Sequence, residues 1–319
     1  NAHPHLISDS LAIVHNGIIE NHSDLRENLR AEGYLFASQT DSEVIGCLID
    51  SSLKSGMNLI EAVSESVKKL EGTYAFCVLS PLLSGSLVVA RQGSPVVIGL
   101  GIGEHFVASD VFALLPVTQR FVFLDDGDIA VISKDEVTIT DALGNAVDRT
   151  ETVSEVTPDM AGKGNFRHYM LKEIFEQPHV IGDSLSRFVD PINKIINIPE
   201  LKINWKKISK INFIACGTSF FACQVASYWF EKIVGISCSS HFASEFRYKP
   251  IVEKSSNILS IFISQSGETA DTLAALRFAK TNKSKILSLV NVIESSIARE
   301  SDYVVSIAAG PEIGVASTK

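Results

Sequence analysis

Residues Phe262 to Thr272 read FISQSGETADT, and the reading of this stretch decides the fold of the second half of the chain. An apolar run beginning at Ile258 stops abruptly in Ser264, Gln265, Ser266 and Gly267, with Thr269 just beyond. A short apolar, β-branched run bounded by small polar residues describes a buried strand, Ile258 to Ile263, followed by a loop and then a helix. Backbone N–H groups at a helix start are unpaired and point outward, so together with Ser and Thr hydroxyls they can hold an anion without adding charge. Gly267 lets the backbone approach such a ligand closely. The same residues also fit a simpler role, in which Ser266 or Thr269 merely caps the helix.

Working outward, the rhythm repeats. From Ile208 the chain alternates KINFIACG, a helix from Thr218, GISCSS, a helix near Ala243, ILSIFISQSG, a helix from Glu268, KILSLVNV, a short helix from Ser295, and DYVVSIAAG. Such alternation predicts a parallel sheet with helices on both faces and ligands at the carboxyl ends of its strands. The segment IACGTSFFA repeats the strand-to-hydroxyl arrangement with Gly217, Thr218 and Ser219, and GPEIGVASTK places Ser317 and Thr318 after a strand in the same way. The repetition favours a phosphate-ester cradle over three independent caps, and none of the three has the GxxxxGKS or GxxxxGKT spacing of a nucleotide loop. Cys216, beside Gly217, reads as a buried strand-end residue rather than a reactive thiol.

Up to about Asp148 the pattern differs. LAIVH, TYAFCVLS, SLVVARQ, PVVIGLG, RFVFLDDGDIAVIS and EVTITDALG read as strands. Three helices are expected: NHSDLRENLRAEG with an Asn cap, TDSEVIGCLIDSSLKSG, and NLIEAVSESVKKLEG with Leu59, Ile60, Val63 and Val67 on one face. Many antiparallel strands with a few helices make an α+β layered domain. Within VHNGIIENH, Asn16-Gly17 has the signature of a type I′ hairpin turn. The competing reading is an oxyanion site, because an Asn amide and a Gly N–H can hold the charge of a tetrahedral acyl intermediate. Asp41 in SQTDSEV is either a helix cap or a carboxylate for a substrate ammonium. His3, His5 and His15 lack a carboxylate at ligand spacing, so no metal is assigned. The expected division is a first domain over 1–152, a linker over 153–166, a connecting helical segment over 167–207 and a second domain over 208–319.

Bulk properties set limits. At 319 residues two domains are the default. A formal charge of −9 argues against a nucleic-acid or anionic-membrane partner, so an anionic ligand must be held by local donors. The five cysteines, Cys47, Cys77, Cys216, Cys223 and Cys238, show no CxxC spacing and read as reduced thiols in a cytoplasm. No apolar stretch approaches the length of a membrane helix. The chain opens on NAHPH without Met and stops on GVASTK, so both ends look cut and a piece of a longer protein is expected.

The segments NAHPH, VHNGIIENH, TDSEVI, GSPVVIGLG, ASD…ALLPVT, GDIAVI, RHYMLKEIFEQP, ACGTS, ASEFRY, SQSGETADTL and EIGVASTK resemble, in order, successive blocks of the glutamine:fructose-6-phosphate amidotransferase family. The resemblance implies a partial N-terminal-nucleophile (class II glutamine amidotransferase) α/β/β/α domain, then a flavodoxin-like three-layer α/β/α SIS domain. It implies glutamine hydrolysis, passage of ammonia to fructose 6-phosphate, formation of glucosamine 6-phosphate, a homodimer when intact, and no metal or organic cofactor. By the same resemblance Asn16 and Gly17 match an oxyanion pair, His3 and Asp41 the glutamine pocket, and Thr218, Ser219, Ser264, Gln265, Ser266 and Thr269 the phosphosugar loops. Val315 and Ser317 match positions near that sugar site. The family's nucleophile is a cysteine at the very N-terminus, whereas Asn1 stands first here and no cysteine lies in a matching motif. The second SIS domain, with the family's ring-opening, isomerising and Schiff-base residues, is not matched either. Lys319 is not that lysine. The chain alone is therefore expected to catalyse nothing. A phosphosugar-binding regulator is the alternative, although such a protein would be expected to carry a basic DNA-binding segment, and none is visible.

Overall fold

The computed structural model describes residues 2–8, 10–154, 162–250 and 254–319. The chain divides into two compact units, Asn1–Pro158 and Asp159–Lys319. Half of the segment expected as a linker over 153–166, namely 155–161, lies outside the described residues.

In the first unit, β1 (His5–Ile7), β2 (Leu11–Ile19), β3 (Gly72–Leu79), β4 (Ser86–Gln92), β8 (Ile129–Ser133) and β9 (Val137–Thr140) form one antiparallel sheet in the order β1-β2-β3-β4-β8-β9. A second antiparallel sheet runs β10-β7-β5-β6, from β10 (Glu151–Val153), β7 (Arg120–Phe123), β5 (Val97–Leu100) and β6 (His105–Ala108). Side chains alternate across each strand. Ile13, Phe76 and Val88 therefore face α1 (His22–Ala31), α2 (Ser42–Lys54) and α3 (Leu59–Val67), where Ile45, Ile49 and Val63 complete the core. Ala75, Val89 and Ala130 face the other way and meet Ile98, Val122 and Leu124 between the sheets. Val97 and Phe121 pack with Leu114 and Leu115, which continue from a 3₁₀ turn over Val111–Ala113.

Two local expectations change. Asn21 makes no cap bond to α1; its side chain instead donates to Lys69 O at 2.9 Å and accepts from Glu71 N at 3.1 Å, bracing the approach to β3. Ile60 is exposed, since the buried face of α3 runs through Leu59, Ala62, Val63 and Ser66. The helix is held at its start by Asn58 and Glu61, which cap each other's backbone N–H.

The second unit begins with α4 (Tyr169–Phe188), which contains Pro178, and a short hairpin of β11 (Val189–Asp190) and β12 (Ile195–Ile196). A five-stranded parallel sheet follows in the order β14-β13-β15-β16-β17. Its strands are β13 (Lys210–Ala215), β14 (Ser237–Phe242), β15 (Ile258–Ser264), β16 (Lys285–Val290) and β17 (Tyr303–Ser306). Ile211, Phe213 and Ala215 of β13 pack with Phe220 and Cys223 of α5 (Gly217–Trp229) on one face, together with Ile203 and Ile208. Ile214 and Phe262 face the opposite layer of α6 (Ala243–Phe246), α7 (Ala270–Thr281) and α8 (Ser296–Arg299). The expected sandwich of three layers is thus present. Among the described residues no helix is long and apolar enough to cross a membrane.

Candidate functional site

Each unit carries its own cluster. In the first, Asn16 and Gly17 lie inside β2, paired with Ala75 and Tyr74 of β3, so the hairpin-turn reading is overturned. Gly17 has φ +136°, and a Cβ there would stand 2.1 Å from the Thr73 carbonyl oxygen. Its glycine is required by a close crossing of two strands, not by a turn. The Asn16 side chain is exposed and lines a cavity of about 300 Å³ that also receives Cys77 and Ser109.

The helix-cap reading of Asp41 is likewise overturned. Its carboxylate makes no cap bond to α2; Oδ2 accepts from Ile19 N at 2.8 Å, three residues beyond Asn16. No intramolecular partner is recorded for Oδ1 among the described residues, which leaves an acceptor for a cation. His3 Nε2 and His15 Nδ1 both approach Ser42 Oγ, at 3.4 and 2.9 Å, so His3 and Asp41 meet at the start of α2. Burial lowers the His15 pKa, and burial with the neighbouring His3 charge lowers that of His5; both rings are neutral donors or acceptors at neutral pH. No group of three potential metal ligands occurs among the described residues.

The loop before α2 was not singled out by sequence. Arg26 of α1 donates to Ser38 O at 2.9 Å and to Thr40 O. Buried Glu43 accepts from Ala37 N and Ser38 N, each at 2.7 Å, and from Ser38 Oγ at 2.6 Å. The signal available was a carboxylate in the first turn of an apolar helix.

In the second unit, β13 and β15 are neighbours, and their following helices α5 and α7 lie on opposite faces of the sheet. This is the point where strand order reverses, and in such sheets ligands bind at the carboxyl ends beside that point. Neither helix start carries a side-chain cap bond, so the expectation that Thr269 serves as an ordinary cap fails. Its Oγ1 lies 3.1 Å from Ser264 Oγ, which also accepts from Gly267 N at 3.1 Å. Ser266 Oγ accepts from Glu268 N at 3.2 Å within an exposed turn. Thr218 is exposed, Ser219 and Gln265 are half-buried, and none of the three side chains has a partner among the described residues. Thr272, buried in α7, donates to Cys216 Sγ at 3.7 Å and ties the two loops together.

Gly267 serves a purpose other than the one expected. At φ +66° its absent Cβ would stand 1.9 Å from Ser295 Oγ, so the close approach is to the loop before α8 rather than to a ligand. Glu268 Oε1 accepts from Ser296 N at 2.6 Å and clamps the same junction. The third hydroxyl pair also departs from expectation, because among the described residues no helix follows β17. Ser317 Oγ donates to Glu312 at 3.1 Å, Thr318 Oγ1 to Glu173 at 2.9 Å, and Val315 is fully exposed. These hydroxyls are taken by carboxylates, which repel an anion.

Residues 2–116 match the family described as a glutamine amidotransferase domain, and residues 205–319 match the SIS domain. The chain joins a glutamine amidotransferase domain to a SIS domain. Over 322 residues it is 50% identical to the glutamine--fructose-6-phosphate aminotransferase (isomerizing) of Idiomarina loihiensis, taking in 100% of this chain and 53% of the relative. The protein of the same name from Pseudomonas putida is 49% identical, with 100% and 52% covered. The chain therefore spans about half the length of the curated relatives it matches. A solved C-terminal domain of the Francisella tularensis glucosamine-fructose-6-phosphate aminotransferase is 41% identical at a TM-score of 0.45, covering 49% of this chain and 44% of that one. The two antiparallel sheets with their helices lie in the unit that carries the amidotransferase match, and the SIS match takes in the five-stranded parallel sheet.

Proposed function

We propose that this chain supplies the glutamine pocket and the first phosphosugar pocket of an enzyme that moves glutamine nitrogen onto fructose 6-phosphate to give glucosamine 6-phosphate. The observation that carries the sugar half is the pair of uncapped helix starts at the β13/β15 reversal, rich in hydroxyls, where the one loop carboxylate, Glu268, is turned to Ser296 N. In this reading Thr218, Ser219, Ser264, Gln265, Ser266 and Thr269 hold the phosphate. The amidotransferase domain contributes Asp41 Oδ1 for the glutamine ammonium, His3 beside it, and the Asn16 amide with Gly17 for developing negative charge. Two such chains in a homodimer complete the reading.

Four of the five thiols are held protonated by burial, and the fifth, Cys216, lies in the SIS domain, where its Sγ accepts from Thr272 Oγ1. Burial pushes Cys47 and Cys223 to about 12 and Cys77 to about 11, and raises Cys238. A protonated thiol is a poor nucleophile, so pure chain is expected to release no glutamate from glutamine.

The test is calorimetric titration with fructose 6-phosphate and with fructose. Ser266→Ala/Thr269→Ala is expected to weaken the phosphate ester by about tenfold or more while leaving the free sugar's weak binding unchanged. Equal losses for both sugars would make the hydroxyls structural and overturn the reading.

A further inference from the structure

On the face of the SIS sheet that carries α6 and α7, near the amino ends of β13 and β15, lies a cavity of about 310 Å³. It sits toward the opposite end of the strands from the hydroxyl-rich loops. Its polar lining comes from Lys210 and Asn212 of β13, His241 of β14, Lys249, Ser260 of β15, Asn282 and Ser284. The parallel register sets Lys210 beside Ile258, Asn212 beside Ser260, and Ile214 beside His241, so these side chains share one face. The carbonyls at the end of α7 do not compete for an incoming donor, because Ala279 O accepts from Asn282 N and Ser284 N, and Phe278 O from Asn282 Nδ2.

The charge in this cavity is one-sided. No carboxylate is among its described lining residues, and neither lysine has an ion pair with one among the described residues. Lys249 Nζ lies 3.0 Å from His241 Nδ1. An ammonium can only donate, so Nδ1 accepts and the ring proton sits on Nε2. Burial, then the positive charges of Lys249 and Lys210, push this imidazole down to about 4, which keeps it neutral. Asn212 Oδ1 is buried with no hydrogen-bond partner, and a rotated amide presents NH₂ donors instead. Ser260 and Ser284 share a hydroxyl contact of 2.8 Å, and Ser284 Oγ donates on to Ile258 O at 3.1 Å, so the floor of the cavity is a fixed polar network. Lys210 is half-buried and Lys249 exposed, so both ammonium groups are open to an incoming anion, and the Asn212 amide beside them, buried and unpaired at Oδ1, gains a partner when one binds.

We propose that this cavity is a separate binding site for a small phosphomonoester, gripped by Lys210 and Lys249 with the Nε2–H of His241 and the Asn212 amide as neutral donors. A dianion matches two ammonium groups, and a phosphomonoester is close to a dianion at neutral pH. A monocarboxylate leaves one lysine unanswered. The site is independent of the phosphosugar loops, and it stands or falls apart from them.

The probes are inorganic phosphate and glycerol 3-phosphate, titrated at neutral pH into Ser266→Ala/Thr269→Ala chain so that the loops do not report. Imidazole NMR is expected to show the His241 resonances moving and saturating with both probes. Lys210→Met and Lys249→Met, made singly, are each expected to weaken binding by at least about tenfold. Tryptophan fluorescence during urea unfolding verifies that each variant is folded. His241 resonances that stay fixed through the titration, or affinities unchanged in both folded lysine variants, overturn the proposal. Binding of phosphate without glycerol 3-phosphate overturns the monoester assignment.

Discussion

Replacing Glu43 with alanine removes the group that shapes the loop in front of α2. Its carboxylate takes three donors at 2.6–2.7 Å while the residue is 4% exposed. A hydrogen bond to a charged acceptor is worth about 1.5–3 kcal/mol. Ala37 is exposed, so water replaces the partner it loses, and the Ser38 hydroxyl keeps Thr40 Oγ1 at 2.8 Å, whereas the N–H of buried Ser38 is left unpaired. One stranded donor that had bonded a charged acceptor costs about 2 kcal/mol. That corresponds to an opening constant for α2 larger by on the order of 30-fold. Hydrogen exchange of α2 peptides measures it. Both tryptophans, Trp205 and Trp229, lie in the second unit, so their fluorescence in urea supplies the control that should not move. Burial alone would raise the Glu43 pKa, but the bonds from Ser38 and Ala37 outweigh it and leave the carboxyl below its usual value. A depressed folded value means the stabilisation is present above the unfolded value near about 4.3 and is lost as pH falls through the folded one. The gap between parent and variant should therefore close below about pH 4. Exchange of α2 within threefold of the parent at neutral pH, or a gap that widens in acid, refutes the reasoning.

Gly17→Ala forces a Cβ to 2.1 Å from the Thr73 carbonyl at φ +136°, and should cost the amidotransferase domain at least about 3 kcal/mol; unchanged exchange protection in β2 and β3 would count against it. Arg149→Ala strips a two-point partner, at 2.7 and 2.8 Å, from Asp128, which is 1% exposed, and should cost about 3 kcal/mol by denaturant midpoint. Adding Asp128→Asn should recover part of that loss, and no recovery would mean that packing rather than charge is at stake. Alkylation of folded chain at mildly basic pH should spare Cys47 and Cys223, which burial holds protonated; rapid labelling of either, read by mass spectrometry, contradicts their placement.

The parallel sheet was legible because its central strands are buried on both faces and read as unbroken apolar runs between loops. The two hydroxyl-rich helix starts were legible for a related reason: strand, small residues and helix follow one another locally. What escaped was set by partners distant in sequence. Asn16-Gly17 carries a turn signature, yet the glycine answers to Thr73 on the neighbouring strand. Gly267 answers in the same way to Ser295. Ser317 and Thr318 resemble the other hydroxyl pairs in composition, but Glu173 captures Thr318 from 145 residues away. Asp41 looks like a cap until β2 brings Ile19 N within reach. His241 and Lys210 gave no signal at all, since a lysine opening one strand and a histidine near the end of the next are unremarkable until the sheet places both on the face that carries one cavity.

The Glu173 carboxylate has a consequence for the order of assembly. Besides Thr318 it accepts from Ile313 N at 2.7 Å and Gly314 N at 2.9 Å, so one side chain of α4 waits for a segment made 140 residues later. At roughly 5–20 residues per second of synthesis, that wait is about 7–28 seconds. Throughout it α4 has a solvated carboxylate where the folded SIS domain has a closed one. The parallel sheet grows from β13 to β17 in the meantime, and α4 is fastened at that point only after β17 is made.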